Sequence, residues 1–213
     1  MNISDIISAN GIVFSGLFLT MSFAGVALIA WRLIENIRAQ TDLDKFVEDL
    51  EAQLEAGGGR AAYELCEREA TETKQLVPKL FLAAFKDGQR GKIAARDAIA
   101  DCIDHDIMPS LQGLLPYILL LAKIAPMVGL LGTVSGMIGA FQTIAGAEKV
   151  DPSALANDIG MALLTTAEGL IIAIPLIFAY TLFKESVHKY EIELARASQA
   201  ALQLLPRVYG NPA

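Results

Sequence analysis

The stretch ALLTTAEGLIIAIP, residues Ala162–Pro175, decides the predicted fold. It lies inside the apolar run Ile159–Phe183, in which Glu168 is the only formally charged residue. A helix needs about 20 apolar residues to cross a hydrocarbon core that is roughly 30 Å thick. We therefore predict that this run is a transmembrane helix. A charged, unpaired carboxylate at that depth is costly, which makes Glu168 a candidate functional residue.

Two further apolar runs have a similar length. One is Ile6–Trp31, and the other lies between Lys123 and Glu148. The chain is 54% hydrophobic, which is too apolar for an ordinary soluble domain of 213 residues. The fold class we predict is an all-α integral membrane protein with three transmembrane helices and long helical cytoplasmic extensions. No basic residue precedes the first run, so we expect an anchor and not a cleaved signal peptide.

The lysines and arginines predict the orientation in the membrane. Eleven lie between the first and second predicted spans and four follow the third, whereas none precedes the first. Lys149 alone lies between the second and third spans, and Lys123 stands at the entry to the second. Because cytoplasmic loops carry the excess of Lys and Arg, we place the N-terminus outside and the C-terminus in the cytoplasm.

The predicted division of the chain follows from these spans. Residues 1–10 are a short outer N-terminus, 11–31 transmembrane helix 1, 32–112 a cytoplasmic helical domain, 113–145 a long helix containing transmembrane helix 2, 146–158 an outer loop, 159–183 transmembrane helix 3, and 184–213 a cytoplasmic helical tail.

Local signals refine this division. The part of the long helix before Lys123 is expected to project into the cytoplasm, since the whole helix exceeds the bilayer thickness. Asn157 or Asp158 is expected to cap the N-terminus of transmembrane helix 3, and Pro175 to bend it. The glycines of Gly57–Arg60 are expected to end an amphipathic helix.

Composition argues against several classes of function. The net charge of −7 does not suggest a nucleic-acid partner. Cys66 and Cys102 lack metal-ligand spacing and are interpreted as reduced cytoplasmic thiols. No predicted span contains a histidine, and the chain has neither a GxSxG motif nor a workable pair of acids. We therefore predict no catalytic site, no metal site and no cofactor.

The second predicted span is rich in small residues, which allow helices to approach closely. Its glycines recur at helical spacings of three and four, so we interpret them first as packing positions. The predicted helix-packing residues are Gly129, Gly132, Gly136, Gly139, Gly169 and Pro175.

The polar residues of the spans are candidates for an ion path. They are Thr133 in the second span, and Thr165, Thr166 and Glu168 in the third. A lone threonine in a membrane helix usually bonds the carbonyl one turn back, which is the simpler interpretation of each hydroxyl. An ionisable residue beside them is a functional hypothesis by default.

A helical wheel separates these groups. It places Thr165 and Glu168 on one face, and Thr166, Gly169 and Ala173 on a nearly opposite one. Thr166 and Glu168 therefore cannot both point into the same narrow lumen. We expect one of them to line a pore and the other to face a seam between helices.

The motifs APMVGLLGTVSGMIGAF (Ala125–Phe141) and IGMALLTTAEGLIIAIPLIFAY (Ile159–Tyr180) resemble the MotA/TolQ/ExbB proton channel family, most closely its ExbB/TolQ branch. The resemblance implies a bacterial inner-membrane protein that forms a homopentameric helix bundle, in contact with membrane lipid, around a central pore. The pore would hold two copies of an ExbD- or TolR-like single-span partner that carries an ion-binding aspartate. Thr133 and Thr166 match the pore-facing threonines of the family.

The implied function is energy coupling. Proton flow would move the partner, and the work would reach a TonB- or TolA-like protein for outer-membrane transport or envelope maintenance.

One position departs from the family pattern. Many members carry a glutamate where this chain has Met161, and here the glutamate is Glu168, seven residues later. One hypothesis is that the carboxylate has moved about two turns, ~10.5 Å, along one helical stripe. The other is that Glu168 is an unrelated buried hydrogen-bonding group.

Two alternative functions compete with energy coupling. A MotA-like stator of a flagellar or gliding motor usually has four spans, whereas this chain has three predicted spans. A non-conducting scaffold would tolerate replacement of the threonines and of Glu168 at little functional cost.

Overall fold

The computed structural model describes residues 11–39, 43–72, 75–146 and 151–210. The predicted outer N-terminus, residues 1–10, and residues 147–150 of the predicted outer loop lie outside the described residues. The elements are α1 (Gly11–Ala39), α2 (Leu43–Glu72), α3 (Leu76–Gly88), α4 (Lys92–Asp101), a π-helix (Cys102–Ile107), α5 (Met108–Gln112), α6 (Leu115–Ala145) and α7 (Pro152–Tyr209).

The prediction of an all-α fold with three helices long and apolar enough to span a membrane is confirmed for the described part of the chain. Its regular elements are all helices. Three stretches are helical, long and apolar enough to cross a membrane, namely Phe14–Ile37 and segments within Lys92–Ala145 and Pro152–Tyr209.

The last helix, α7, begins seven residues before the apolar run that predicted it. A side-chain oxygen of Asp151 accepts a hydrogen bond from the backbone N–H of Ser153 at 2.9 Å, and Pro152 is the first helical residue. Asp before Pro is a favourable helix start. The prediction of a cap at Asn157 or Asp158 is therefore wrong, and so is a loop that extends to residue 158. The predicted boundary followed hydrophobicity, whereas capping chemistry sets the start of the helix.

The chain divides into two compact units. The membrane unit contains the residues up to Trp31 together with Leu114–Leu182. Met21 of α1, Ala125 of α6 and Ala173 of α7 form its buried apolar cluster, and the partly buried side chains of Leu121, Val128 and Ile172 pack against it.

Residues before Lys123 also belong to the membrane unit. A methyl group built at Gly25 of α1 would lie 3.5 Å from Leu121 and 3.1 Å from Leu176. Leu121 thus packs beside two residues that lie inside apolar runs of α1 and α7. Ile118 and Ala122 continue the buried face of α6 before the lysine, and the projection of this part of the helix into the cytoplasm stays a prediction.

The second unit contains Arg32–Gly113 and Phe183–Ala213. Its core includes an aromatic group in which the Phe81 ring packs edge-on against Phe46 and Phe85, with centroids 5.4 and 5.9 Å apart. The expected end of a helix at Gly57–Arg60 is confirmed, because two helices meet at Gly58 within the range of α2. Gly58 has φ +68°, which favours glycine, and the helix resumes after it.

The C-terminal end of α7 docks on α2 and α3 within the second unit. A methyl group built at Gly59 would lie 2.2 Å from the carbonyl oxygen of Val208. The Arg207 guanidinium contacts the carboxylate of Glu51 at 2.7 Å, and the Tyr209 hydroxyl donates to the carbonyl of Phe85. The ion pair is half exposed and therefore contributes little. We attribute the position of the C-terminal segment mainly to the close fit at Gly59.

We expect Gly59→Ala to destabilise the second unit by about 1–3 kcal/mol, because the added methyl group overpacks against backbone. The measurement is thermal unfolding of the detergent-solubilised protein. Gly160→Ala is the control, since no atom lies within 4 Å of a methyl group built there. Equal melting temperatures for the two variants would contradict the docked position of the C-terminal segment.

Cys66 provides a chemical probe of the same unit. Its side chain is fully buried, and burial raises the pKa of its thiol to about 12. The thiolate is the reactive form, so we expect Cys66 to resist maleimide at neutral pH until the protein unfolds. Mass spectrometry of labelled peptides measures this, and rapid labelling of Cys66 in the folded protein would contradict its burial.

Candidate ion-path site

The antiparallel helices α6 and α7 approach each other closely along a line of small residues, which we call the glycine seam. Methyl groups built at Gly129 and Gly132 would lie 2.8 Å from the carbonyl oxygen and 2.6 Å from the hydroxyl oxygen of Thr165, respectively. One built at Gly169 would lie 2.5 Å from the carbonyl oxygen of Ala125. These distances leave no room for a side chain, so glycine is required for this approach.

Of the two other glycines predicted to pack in the second span, Gly136 contacts the facing helix and Gly139 does not. A methyl group built at Gly136 would lie 2.9 Å from Cβ of Ala162, which places Gly136 in the glycine seam. One built at Gly139 would meet no atom within 4 Å. Within one copy of the chain, Gly139 therefore has no seam contact. Pro175 lies inside the continuous helix α7, and its side chain is exposed.

Thr165 bridges the two helices from the middle of the glycine seam. Its side chain is only 4% exposed. The hydroxyl oxygen lies 2.7 Å from the carbonyl of Ala162, one turn back, and 3.1 Å from the carbonyl of Gly129 on α6. The single hydroxyl hydrogen is thus shared between an intrahelical and an interhelical acceptor. This geometry gives Thr165 a packing role, and its place in an ion path stays a prediction.

The helical wheel was wrong to place Gly169 and Ala173 nearly opposite Thr165. Thr165, Gly169 and Ala173 are all buried on one face of α7. A separation of four residues rotates a helix by only about 40°, so Gly169 lies beside Thr165 and not opposite it. The separation of Thr166 from Glu168 is unaffected, since two residues of helix place them about 160° apart.

Thr133 and Thr166 share one side of the α6–α7 pair. Each directly follows a seam residue, Gly132 or Thr165, and Gly132 lies against Thr165. Because the two helices run in opposite directions, the residue that follows a seam residue lies on the same side of the pair in both helices. Both side chains are half-buried, and the Thr133 hydroxyl donates to the carbonyl of Leu130 at 2.7 Å. We call this the threonine side.

Helix α1 covers the opposite side, which we call the α1 side. The α1 residue Met21 is clustered with Val128 and Ile172, and each of these two directly precedes a buried residue of its helix. Glu168 likewise directly precedes Gly169, and its side chain is half-buried. The glycine seam therefore separates the Glu168 carboxyl from the two half-buried threonines. Sequence reasoning predicted this separation but not which side α1 covers.

The chemistry available on the two sides differs. The threonine side offers hydroxyl groups among apolar side chains, and the α1 side offers one ionisable carboxyl. Within the described ranges, no group of three His, Cys, Asp or Glu residues is arranged to hold a metal ion. Hydroxyl and carboxyl groups in apolar surroundings suit the transfer of a small cation or a proton through a membrane.

We expect Gly132→Ala to lower the thermal stability of the membrane unit by about 1–3 kcal/mol, because its methyl group would collide with Thr165. Gly139→Ala is the matched control on the same helix and should be nearly neutral in one copy of the chain. Adding Thr165→Ala to Gly132→Ala should recover part of the loss, since it removes the colliding atoms. Thermal unfolding in detergent provides the measurement, and no difference between Gly132→Ala and Gly139→Ala would contradict the glycine seam.

Comparison with known proteins gives one match. A model of the MotA/TolQ/ExbB proton channel family matches residues 72–196, more than half of the chain. The matched range contains the whole of α6, the glycine seam, the threonine side and Glu168. Among curated proteins, no sequence gives a significant match.

Proposed function

Because the chain belongs to the MotA/TolQ/ExbB proton channel family, we propose that it is the proton-conducting subunit of an ExbB–ExbD-like or TolQ–TolR-like motor. The motor converts the proton motive force into mechanical work on a TonB- or TolA-like protein. The work serves outer-membrane transport or envelope maintenance. The subunit is not an enzyme in this proposal, in keeping with a family of proton channels.

The observation that carries this proposal is the two-sided α6–α7 pair. Helix α1 covers one side, whereas the threonine side carries exposed apolar residues beside Thr133 and Thr166. Leu130, Leu170 and Ile177 each directly follow a buried residue, and 44–60% of each side chain is exposed. In a ring of five copies, the threonine side faces the centre and α1 faces lipid. The apolar side chains then contact the helices of two single-span partners, and the threonines supply polar groups to the ion path.

The orientation follows from the distribution of basic residues. The segment between the first and second spans and the segment after the third hold fifteen of the seventeen lysines and arginines. Under the positive-inside rule, these segments lie in the cytoplasm and the N-terminus lies in the periplasm. The protein is then a multi-pass protein of the bacterial inner membrane.

The position of Glu168 bears on the departure from the family pattern. Met161, like Glu168, directly precedes a buried residue of α7, so both positions lie on the α1 side. This supports a role for Glu168 outside the central lumen. Glu168→Gln separates the two hypotheses: loss of partner-dependent proton flux identifies a relay carboxyl, and full flux identifies a structural hydrogen-bonding group.

The first test is native mass spectrometry of the detergent-extracted protein, purified with and without the single-span protein encoded beside it. The proposal predicts a pentamer that takes up two copies of the partner. A monomer or dimer without a partner would contradict it and favour a scaffold.

The second test replaces the threonine hydroxyls. We expect Thr133→Val and Thr166→Val to lower partner-dependent proton flux into liposomes by about tenfold or more, which corresponds to about 1.4 kcal/mol at the barrier. Valine keeps the volume and removes only the hydroxyl, so the oligomer should keep its mass. Thr20→Val is the control, since the exposed Thr20 of α1 donates to the carbonyl of Leu17, one turn back, at 2.8 Å. Unchanged flux in both threonine variants would overturn the proposed ion path.

A further inference from the structure

A groove of about 840 Å³ lies within the second unit, between α3 and the stretch formed by α4 and the π-helix. Small side chains line its middle, since Ala83 and Ala98 are half-buried there and Cys102 is buried. Asp87 also lines the groove and pairs with Arg90 at 3.4 Å. Small residues in the middle, with charged residues around them, suit the binding of an amphipathic helix.

The two walls of the groove carry unpaired charges of opposite sign. Lys79 and Lys86 lie on α3, and we call their side the lysine wall. Asp101 and Asp106 lie on the facing side, which we call the aspartate wall. None of the four makes a salt bridge with a residue that the structure describes. The groove therefore fits a helix that presents a basic group to the aspartate wall and an acidic group to the lysine wall.

The chain itself carries such a helix face, in the part of α7 that belongs to the second unit. Glu193 and Arg196 lie about 60° apart around this helix. Arg196 is exposed and Glu193 is half-buried, and neither makes a salt bridge with a described residue. By contrast, the nearby Lys189 pairs with Glu185 at 3.3 Å. Ile192, which is 47% exposed, adds an apolar side chain one turn before Arg196. We call Ile192, Glu193 and Arg196 the outer α7 face.

The groove and the outer α7 face point in opposite directions. Helices α3 and α7 meet where a methyl group built at Gly88 would collide with the side chain of Leu205. Ala83 of the groove lies about 140° around α3 from Gly88, and Arg196 lies about 180° around α7 from Leu205. The groove thus faces away from α7, and Arg196 faces away from α3. Within one copy Arg196 does not reach the groove, whereas the outer α7 face of a second copy is free to enter it.

We propose that the groove binds the outer α7 face of a second copy of the chain. Arg196 of one copy pairs with the aspartate wall of the next, and Glu193 pairs with the lysine wall. Ile192 packs against the small residues in the middle of the groove. Because the two contacting surfaces differ, the contact is heterologous, and it repeats around a ring if the rotation closes. This contact goes beyond the proposed function, since it involves no residue of the proposed ion path.

The experiment is disulfide cross-linking between two differently tagged copies that are expressed together, both with Cys66→Ala and Cys102→Ala. One copy carries Ala83→Cys in the groove. The other carries Ala200→Cys, one turn beyond the arginine of the outer α7 face. Mild oxidation should give a dimer that contains both tags. Ala52→Cys in place of Ala200→Cys is the control, since Ala52 is exposed on α2, and it should give no such dimer.

Charge reversal tests the ion pairs of the same contact. Arg196→Glu should slow the cross-linking about tenfold, equivalent to about 1.4 kcal/mol. Asp101→Arg with Asp106→Arg in the groove copy should restore the rate. Arg60→Glu is the control, because the Arg60 side chain is 91% exposed on α2, and it should leave the rate unchanged. The oligomer mass in native mass spectrometry checks that each variant folds.

The outcomes separate this contact from the proposed function. An oligomer of natural mass without the cross-link, or with a rate that Arg196→Glu does not change, would overturn the contact and leave the proposed function standing. Protection of the Ala83→Cys variant from maleimide by an added single-span protein or by lipid vesicles, without the cross-link, would assign the groove to that occupant and also overturn the contact. A natural protein that stays monomeric would overturn both.

Discussion

The membrane unit depends on the close approach of α6 and α7. At Gly129, Gly132 and Gly169, backbone or hydroxyl atoms of the facing helix occupy the space where a side chain would begin. Water cannot drive two apolar helices together inside a membrane, so close van der Waals contact and interhelical hydrogen bonds do so. The hydrogen bond from Thr165 to the carbonyl of Gly129 adds the second contribution in the middle of the same contact.

This contact also sorts the polar residues. Once the glycine seam fixes the rotation of each helix, every residue directly after a seam position lies on the threonine side, and every residue directly before one lies on the α1 side. Thr133 and Thr166 belong to the first group, and Glu168 belongs to the second. A change of a few tens of degrees in either helix would mix the two groups, so the function proposed for each residue rests on the glycines.

Much of this arrangement follows from the sequence, but not all of it. The long apolar runs and the glycine spacing predicted three spans and the packing positions Gly129, Gly132 and Gly169, because hydrophobicity and residue size are local properties. The start of α7 at Pro152 was missed because capping by Asp151 extends the helix beyond its apolar part. The packing of Leu121 beside Gly25 of α1 and Leu176 of α7 could not be predicted, because a single sequence does not reveal contacts between distant residues.

The most direct measurement of the central claim is disulfide cross-linking between the α6–α7 pair and the partner helix. In a background with Cys66 and Cys102 changed to alanine, Thr166→Cys and Glu168→Cys are each combined with cysteines placed along that helix. The two positions are two residues apart in sequence and differ only slightly in depth. The account predicts cross-links from position 166 and none from position 168. Cross-links from position 168 with none from position 166 would contradict it, because the α1 side would then be the side that faces the partner.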